Sequence, residues 1–125
     1  MRSINFKSAL ISFLIGFFII SFSSCQKAND TIGVIVVKDI NRNVVSGATV
    51  VLHQNDATNY QDPDPRIIKT DITDANGRAE FTYELEAILQ IDVEKVEGNN
   101  IYTGSNVIRL LRGKTVEKTV EIKIN

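Results

Sequence analysis

The sequence predicts an all-β fold, a single antiparallel two-sheet sandwich of about seven strands. Beyond residue 31, apolar and polar residues alternate in short runs with the period of two that is typical of half-buried strands. Turn residues separate these runs at roughly 8–12-residue spacing, as in sandwich folds. The apolar residues of this part are mostly Val, Ile and Leu, because five of the six phenylalanines lie within the first 22 residues. β-Branched side chains favour strands.

Turn signals place the boundaries of the predicted strands. Residues 39–43 and 97–100 are rich in Asn, Asp or Gly, residues 55–66 form a polar loop with both prolines, and Gly113 lies in the last turn. Asn76-Gly77 is the strongest short signal for a hairpin turn, with positive φ expected at both residues. The predicted strands are residues 32–38, 48–54, 67–73, 78–83, 88–95, 101–111 and 115–125.

Alternation within these runs predicts which side chains face the core. The predicted inward set is Ala48, Val50, Leu52, Ala79, Phe81, Tyr83, Leu89, Ile91, Val93, Val116, Val120, Ile122 and Ile124. Lys118 interrupts the inward face of the last run, and we expect it near a sheet edge where its amine reaches water. Gly104-Ser105 marks a point where the sixth run can break. Residues 83–89 have an ambiguous pattern, which we interpret as a connection between strands.

The first 25 residues have the pattern of an export signal. Arg2 and Lys7 precede an apolar run of 14 residues, 9–22, and the small residues Ser23 and Ser24 follow it. A cationic start, an apolar stretch of roughly 7–15 residues and small residues before a cleavage point describe a secretory signal peptide. A membrane-spanning helix needs about 20 apolar residues, and residues 26–30 are polar, so we prefer the signal peptide.

Cys25 directly follows the small pair, so the segment resembles a bacterial lipoprotein signal. The resemblance implies cleavage between Ser24 and Cys25 and a membrane anchor of acyl chains, such as palmitate, on Cys25. Phe22 and Ser24 depart from the commonest lipobox, which has Leu and then Ala or Gly at these positions. The expected organisation is a signal peptide at 1–24, the lipidated cysteine and a short tether at 25–31, and a sandwich domain at 32–125. Gln26 favours the outer membrane, and the leaflet stays open.

The composition that remains after cleavage argues against nucleic-acid binding and against a disulfide within the domain. Removal of 24 of the 125 residues leaves 101 residues with 12 Lys or Arg and 15 Asp or Glu, a net charge of −3. This is one domain, without the basic surplus expected of a nucleic-acid-binding protein. Cys25 is the only cysteine, so the core is expected to be stable without a disulfide.

Three stretches of the domain resemble the carboxypeptidase-regulatory-like, transthyretin-like family. Residues 34–52 are similar to its opening strand, Asp-x-Asn-Gly turn and Gly-Ala strand. Residues 70–81 match Thr-Asp-x-x-Gly-x-Phe with Gly77 and Phe81, and residues 107–122 resemble the closing strands. Arg42 stands where the family usually has Gly, and Val44 where it often has Pro. The chain also resembles small Bacteroidota lipoproteins that carry this module. These motifs imply a transthyretin-like or immunoglobulin-like fold and no particular activity.

No catalytic site is predicted. His53 is the only histidine, expected on an outward strand face. One enzyme of this fold, hydroxyisourate hydrolase, uses several His and Arg residues and a C-terminal Tyr-Arg-Gly-Ser, whereas residues 102–105 here lack the Arg and are internal. We therefore expect a protein without enzymatic activity.

Neither a metal nor a cofactor is predicted. The acidic and amide residues that could be considered for calcium are Asp56, Asp62, Asp64, Asp71, Asp74 and Asn76. Their spacing is not that of an EF-hand, and Asp and Asn commonly stabilise turns, so we interpret them as turn and loop residues.

The loop at residues 55–66 is the candidate for specific contact. It is longer than most hairpin connections and offers Tyr60, Asp62, Asp64 and Arg66. An exposed edge strand is a second route to a partner. The expected function is that of a non-enzymatic, membrane-anchored envelope lipoprotein acting as a protein-interaction or structural module, with an envelope protein as its partner. The alternative is an accessory lipoprotein that binds carbohydrate or another small ligand.

Overall fold

The computed structural model describes residues 29–54 and 66–125. These residues form eight strands and no helix. The strands are β1 (Thr31–Lys38), β2 (Thr49–His53), β3 (Lys69–Ile72), β4 (Arg78–Tyr83), β5 (Ala87–Glu97), β6 (Asn100–Leu110), β7 (Thr115–Glu121) and β8 (Lys123–Ile124). A three-stranded sheet has the order β4-β1-β7, and a five-stranded sheet has the order β3-β2-β5-β6-β8. The predicted all-β, two-sheet sandwich is confirmed.

The core lies between the sheets and is built from the predicted alternation. The inward residues expected from β2, β4 and β5 are all buried, with Val50, Leu52 and Ile91 fully enclosed. Of the inward residues expected from the last run, Val120 and Ile122 are buried and Val116 is half-buried, whereas the side chain of Ile124 is 59% exposed. It lies in the two-residue strand β8, which pairs only with residues 102 and 103 of β6.

One strand pair is parallel, which differs from the fully antiparallel sandwich expected. β1 pairs with β4 antiparallel and with β7 parallel, and Val34 lies opposite Glu117 in the parallel ladder. Parallel neighbours require a long connection between them. Here that connection contains β2 to β6, which include four of the five strands of the other sheet, before the chain returns beside β1 as β7.

The last predicted strand divides between the two sheets. β7 belongs to the three-stranded sheet and β8 to the five-stranded sheet, with Ile122 between them. The backbone N–H of Ile122 donates to the carbonyl oxygen of Lys38 at 2.9 Å, and its side chain is 2% exposed. The terminal segment therefore joins the two sheets at one side of the sandwich.

β6 continues through Gly104 without the break that its sequence allowed. A Cβ atom built on Gly104 would overlap the carbonyl oxygen of Glu121. The absence of a side chain at Gly104 therefore lets the backbone of the terminal segment come close to the backbone of β6.

The Asn-Gly turn exists, but it is not a two-residue hairpin. The N–H of Asp74 donates to the carbonyl of Arg78 at 2.9 Å, and the Asp74 carboxylate accepts the N–H groups of Asn76 and Arg78 at 2.8 and 3.0 Å. Gly77 has φ 71°, whereas Asn76 is not in the positive-φ region. The flanking strands β3 and β4 join different sheets, so this turn crosses from one layer to the other.

Candidate functional site

Most of the residues predicted for partner contact or anchoring lie outside the described residues. These are Ser24, Cys25, Tyr60, Asp62 and Asp64. Arg66 is the first described residue after the long loop, and it is exposed. The expectations for the anchor and for the loop therefore stay predictions.

A concave surface lies on the outer face of the five-stranded sheet. We call it the sheet groove. It has a volume of about 800 Å³ and is broadly open to solvent. Its lining residues are Thr49, Val51, Asp92, Val93, Glu94, Thr103, Gly104, Ser105, Glu121 and Lys123.

Strand register brings the polar lining together. Thr49 of β2 lies opposite Glu94 of β5, and Glu94 lies opposite Thr103 of β6, which in turn lies opposite Lys123. Successive side chains of a strand point to opposite faces. Since the side chains of Ile91 and Val93 enter the core, those of Asp92 and Glu94 point outward and line the groove.

The groove is acidic. Asp92, Glu94 and Glu121 contribute three carboxylates, and Lys123 contributes one ammonium group among the lining residues. Together with the Thr and Ser hydroxyls, these carboxylates can accept hydrogen bonds from amide, guanidinium or ammonium donors of a ligand. No aromatic side chain lines the groove within the described part of the chain.

His53 forms a hydrogen bond with Asp92 on the outer face of the same sheet. Its Nε2 lies 2.5 Å from Oδ2 of Asp92, with the two side chains 16% and 57% exposed. Ser105 lies directly opposite Asp92 in the neighbouring strand. In a nucleophilic triad the imidazole stands between the carboxylate and the hydroxyl. Here the strand order places the carboxylate in the middle, and this arrangement does not set up the serine for attack.

The described residues offer no ready metal centre. Within residues 29–54 and 66–125, no three His, Cys, Asp or Glu side chains are grouped as a metal site. Asp74 uses one carboxylate oxygen to hold its own turn, as shown above. Asp71 accepts the N–H of Ile72 at 2.8 Å. Both are engaged as turn or strand residues.

Several strand edges carry side chains that occupy their backbone groups. The Lys69 amine donates to the carbonyl oxygen of Thr82 on β4. The Asn106 amide donates to the carbonyl of Thr119 at 3.0 Å, and its oxygen accepts the N–H of Val107 at 2.9 Å. Charged or polar caps of this kind discourage the addition of a foreign strand. The groove is therefore a better contact surface than these edges.

Comparison with known proteins adds no relative. No family model matches the chain, and no curated protein matches it. The resemblance to the transthyretin-like family thus stays a prediction. Within the described ranges, the structure has no helix of the length and hydropathy needed to cross a bilayer.

Sequence reasoning identified the outward residues of β5 but did not combine them with Thr103, Ser105, Glu121 and Lys123. The alternation of each strand shows which side chains face out. It does not show that β6 is the neighbour of β5 on one side and β2 on the other.

Proposed function

We propose that the protein is a lipid-anchored, non-enzymatic module of the cell envelope that binds a partner protein through the sheet groove. The export signal and Cys25 support the anchor and an outer-membrane location. The open face of the five-stranded sheet supports binding. The position of the Asp92 carboxylate between His53 and Ser105 supports a role without catalysis.

The observation that carries the proposal is the combination of an open groove with exposed apolar side chains on the same face. Ile72 lies opposite Thr49 on the edge strand and is 60% exposed. Val107 follows Ser105 by two residues on β6 and is 46% exposed. Apolar contacts around a polar centre suit a polypeptide partner, because exposed apolar patches commonly mark interaction sites.

Carbohydrate binding has less support. Sugar-binding surfaces usually present aromatic faces, and the described tyrosines do not line the groove. Tyr83 is buried, and Tyr102 is half-buried and packs against the core. The lining is better suited to a peptide with basic or amide donors.

The test is cross-linking of the anchored protein in cells, followed by purification from solubilised membranes. Ser105→Arg places a bulky cation in the groove, and Thr115→Arg places the same side chain on the other sheet as a matched control. We expect one stoichiometric envelope protein to be captured by the parent chain and by Thr115→Arg, and to be lost with Ser105→Arg.

Two outcomes would contradict the proposal. Capture of the same partner by Ser105→Arg would exclude the groove as the interface. If no protein co-purifies and a glycan array shows binding that Ser105→Arg abolishes, the module binds carbohydrate instead. A variant with residues 55–66 shortened tests the predicted loop contact in the same experiment.

A further inference from the structure

The segments at one end of the sandwich surround the point where the described chain begins. We call this end the anchor-side pole and define it as residues 29–31, 84–88 and 109–114. The N–H of Gly113 donates to the Thr31 hydroxyl at 3.0 Å, and the N–H of Ile32 donates to the carbonyl of Lys114 at 3.0 Å. Thr31 lies opposite Tyr83, so residues 84–86 leave β4 at the same end.

This pole exposes three large apolar side chains. Leu85 is 60% exposed, Ile88 is 63% exposed and Leu111 is 38% exposed. Leu85 lies in the connection from β4 to β5, and Ile88 lies on the outer sheet face opposite Arg109. Leu111 begins the turn whose Lys114 N–H donates to the Leu111 carbonyl at 3.0 Å. None of the three belongs to the lining of the sheet groove.

We propose that the anchor-side pole is seated on a phospholipid surface, with Leu85, Ile88 and Leu111 entering the interface. The inference rests on the lipid anchor of the proposed function. An anchor at Cys25 leaves only residues 26–30 before β1, which is at most roughly 20 Å of extended chain. The pole where β1 begins is therefore held near the headgroups, and its exposed apolar side chains are the ones that face them.

The charges of the pole indicate which lipids it suits. Three exposed cations, Arg109, Arg112 and Lys114, are matched in number by three exposed carboxylates, Asp30, Glu84 and Glu86. A balanced set of charges gains little from an anionic surface. It suits zwitterionic headgroups, while the long cationic side chains keep their charges in the polar layer. The contact is expected to persist at high salt, because apolar burial does not depend on screening.

The opposite end of the molecule provides a matched control. β5 and β6 are connected by a turn at residues 98 and 99, and Val96 lies opposite Ile101 beside it. Val96 is 56% exposed and Ile101 is 47% exposed, similar to Leu85. An eleven-residue strand such as β5 spans on the order of 35 Å, so this tip lies well away from the pole.

The experiment uses single tryptophans, because the chain contains no Trp. Leu85→Trp and Val96→Trp are prepared as the full acylated protein in phosphatidylcholine and phosphatidylethanolamine vesicles, with and without brominated acyl chains. We expect Leu85→Trp to be strongly quenched by the brominated lipid and blue-shifted, at low and high salt, and Val96→Trp to be unaffected. Circular dichroism checks that both variants fold.

The mass of the N-terminal peptide shows whether Cys25 is acylated, and so distinguishes failure of the anchor from failure of the membrane contact. If Cys25 is acylated and Leu85→Trp is quenched no more than Val96→Trp, the inference is overturned and the proposed anchor stands. Quenching that disappears at high salt also overturns it, because the contact would then be electrostatic. If Cys25 carries no lipid, the anchor and this inference fail together, whereas partner capture through the groove is tested separately.

Discussion

Arg78 and Glu117 form an ion pair across the outer surface of β1, with Nη1 and Oε2 2.9 Å apart. Arg78 is opposite Val36 on one side of β1, and Glu117 is opposite Val34 on the other. Both valines point away from the core, but Val34 is only 4% exposed and Val36 only 6%. The ion pair therefore crosses the side of β1 on which Val34 and Val36 lie.

This arrangement predicts that Arg78 stabilises the fold mainly through its aliphatic stem. Surface ion pairs contribute about 0.2–1 kcal/mol, and both side chains are about half exposed. We expect Arg78→Ala to reduce the free energy of unfolding by about 1 kcal/mol, and Arg78→Met to recover most of it, because Met keeps apolar cover over the valines. Urea denaturation measures both. Equal losses of unfolding free energy for Arg78→Ala and Arg78→Met would show that loss of the charge, and not loss of apolar contact with the valines, causes the destabilisation.

Arg42 has an unfavourable backbone conformation that a glycine would relieve. Its φ is 67°, and it is the one non-glycine residue with positive φ among the described residues. Asp39 holds the turn, since its carboxylate accepts the N–H groups of Asn41 and Asn43 at 2.8 and 2.9 Å. Left-handed conformations cost an ordinary residue about 1–2 kcal/mol. We expect Arg42→Gly to stabilise the protein by about 0.5–1 kcal/mol after the greater chain entropy of glycine is counted.

Thermal denaturation of Arg42→Gly measures this gain. Arg42→Ala is the control, because it removes the same charge and side chain but retains a Cβ. A gain of the same size with alanine would assign the effect to loss of the arginine side chain instead of relief of the backbone.

Gly104 is predicted to be intolerant of any side chain. A Cβ there would overlap the backbone of Glu121, which cannot move without displacing the segment that joins the sheets. We expect Gly104→Ala to destabilise the fold by about 1–3 kcal/mol, the range for overpacked sites. Gly98→Asn is the control, because a Cβ at Gly98 meets nothing within 4 Å and Asn tolerates its φ of 59°. Denaturant midpoints measure the stability of both variants. Comparable losses for Gly104→Ala and Gly98→Asn would contradict the steric explanation.

Tyr83 gives the fold a dependence on alkaline pH. Burial raises the pKa of the Tyr83 hydroxyl from 10.0 to about 12. The hydroxyl also donates to the carbonyl of Ile67 at 3.0 Å. Because the folded protein favours the neutral phenol, the stabilisation is complete below pH 10 and is lost as the pH rises to about 12.

The measurement is the difference in unfolding free energy between the parent chain and Tyr83→Phe as a function of pH. We expect the parent to lose stability relative to Tyr83→Phe between pH 10 and about 12, the interval set by the two pKa values. Tyr102→Phe, at a half-buried tyrosine, is the control and should leave the pH dependence of the parent intact. The difference in tyrosinate absorbance between the parent and Tyr83→Phe reports the titration of Tyr83 alone. It should titrate above pH 10, and a difference that titrates near pH 10 would contradict this prediction.

Several elements followed from the sequence because they depend on neighbouring residues only. The alternation in Arg78–Tyr83 correctly predicted both the strand and the burial of Phe81 and Tyr83. The turn at residues 97–100 also lies where Gly98 and its neighbours predicted it, between β5 and β6. β1 was recognisable as an apolar strand, but its pattern did not show that Val34 and Val36 face outward beneath an ion pair.

The sheet groove was less accessible to prediction than the strands. Asp92 and Glu94 could be assigned to an outward face, but Ser105, Glu121 and Lys123 belong to elements that meet them only through pairing between distant segments. The alternation of residues 115–125, interrupted at Lys118 and regular after it, also concealed the transfer from one sheet to the other at Ile122, because a strand that changes sheets keeps its period of two.

By itself, the sequence determined the strand content and most of the inward side chains, since a period of two is a local property of an extended chain. It also contains Cys25 and the pattern from which an export signal is predicted, and the predicted anchor depends on both. The tertiary structure decided the parallel pairing of β1 with β7, the close passage of Gly104 by Glu121, and the position of Leu85 beside the start of β1. These relationships depend on which strands become neighbours, and that is decided by the packing of the whole core.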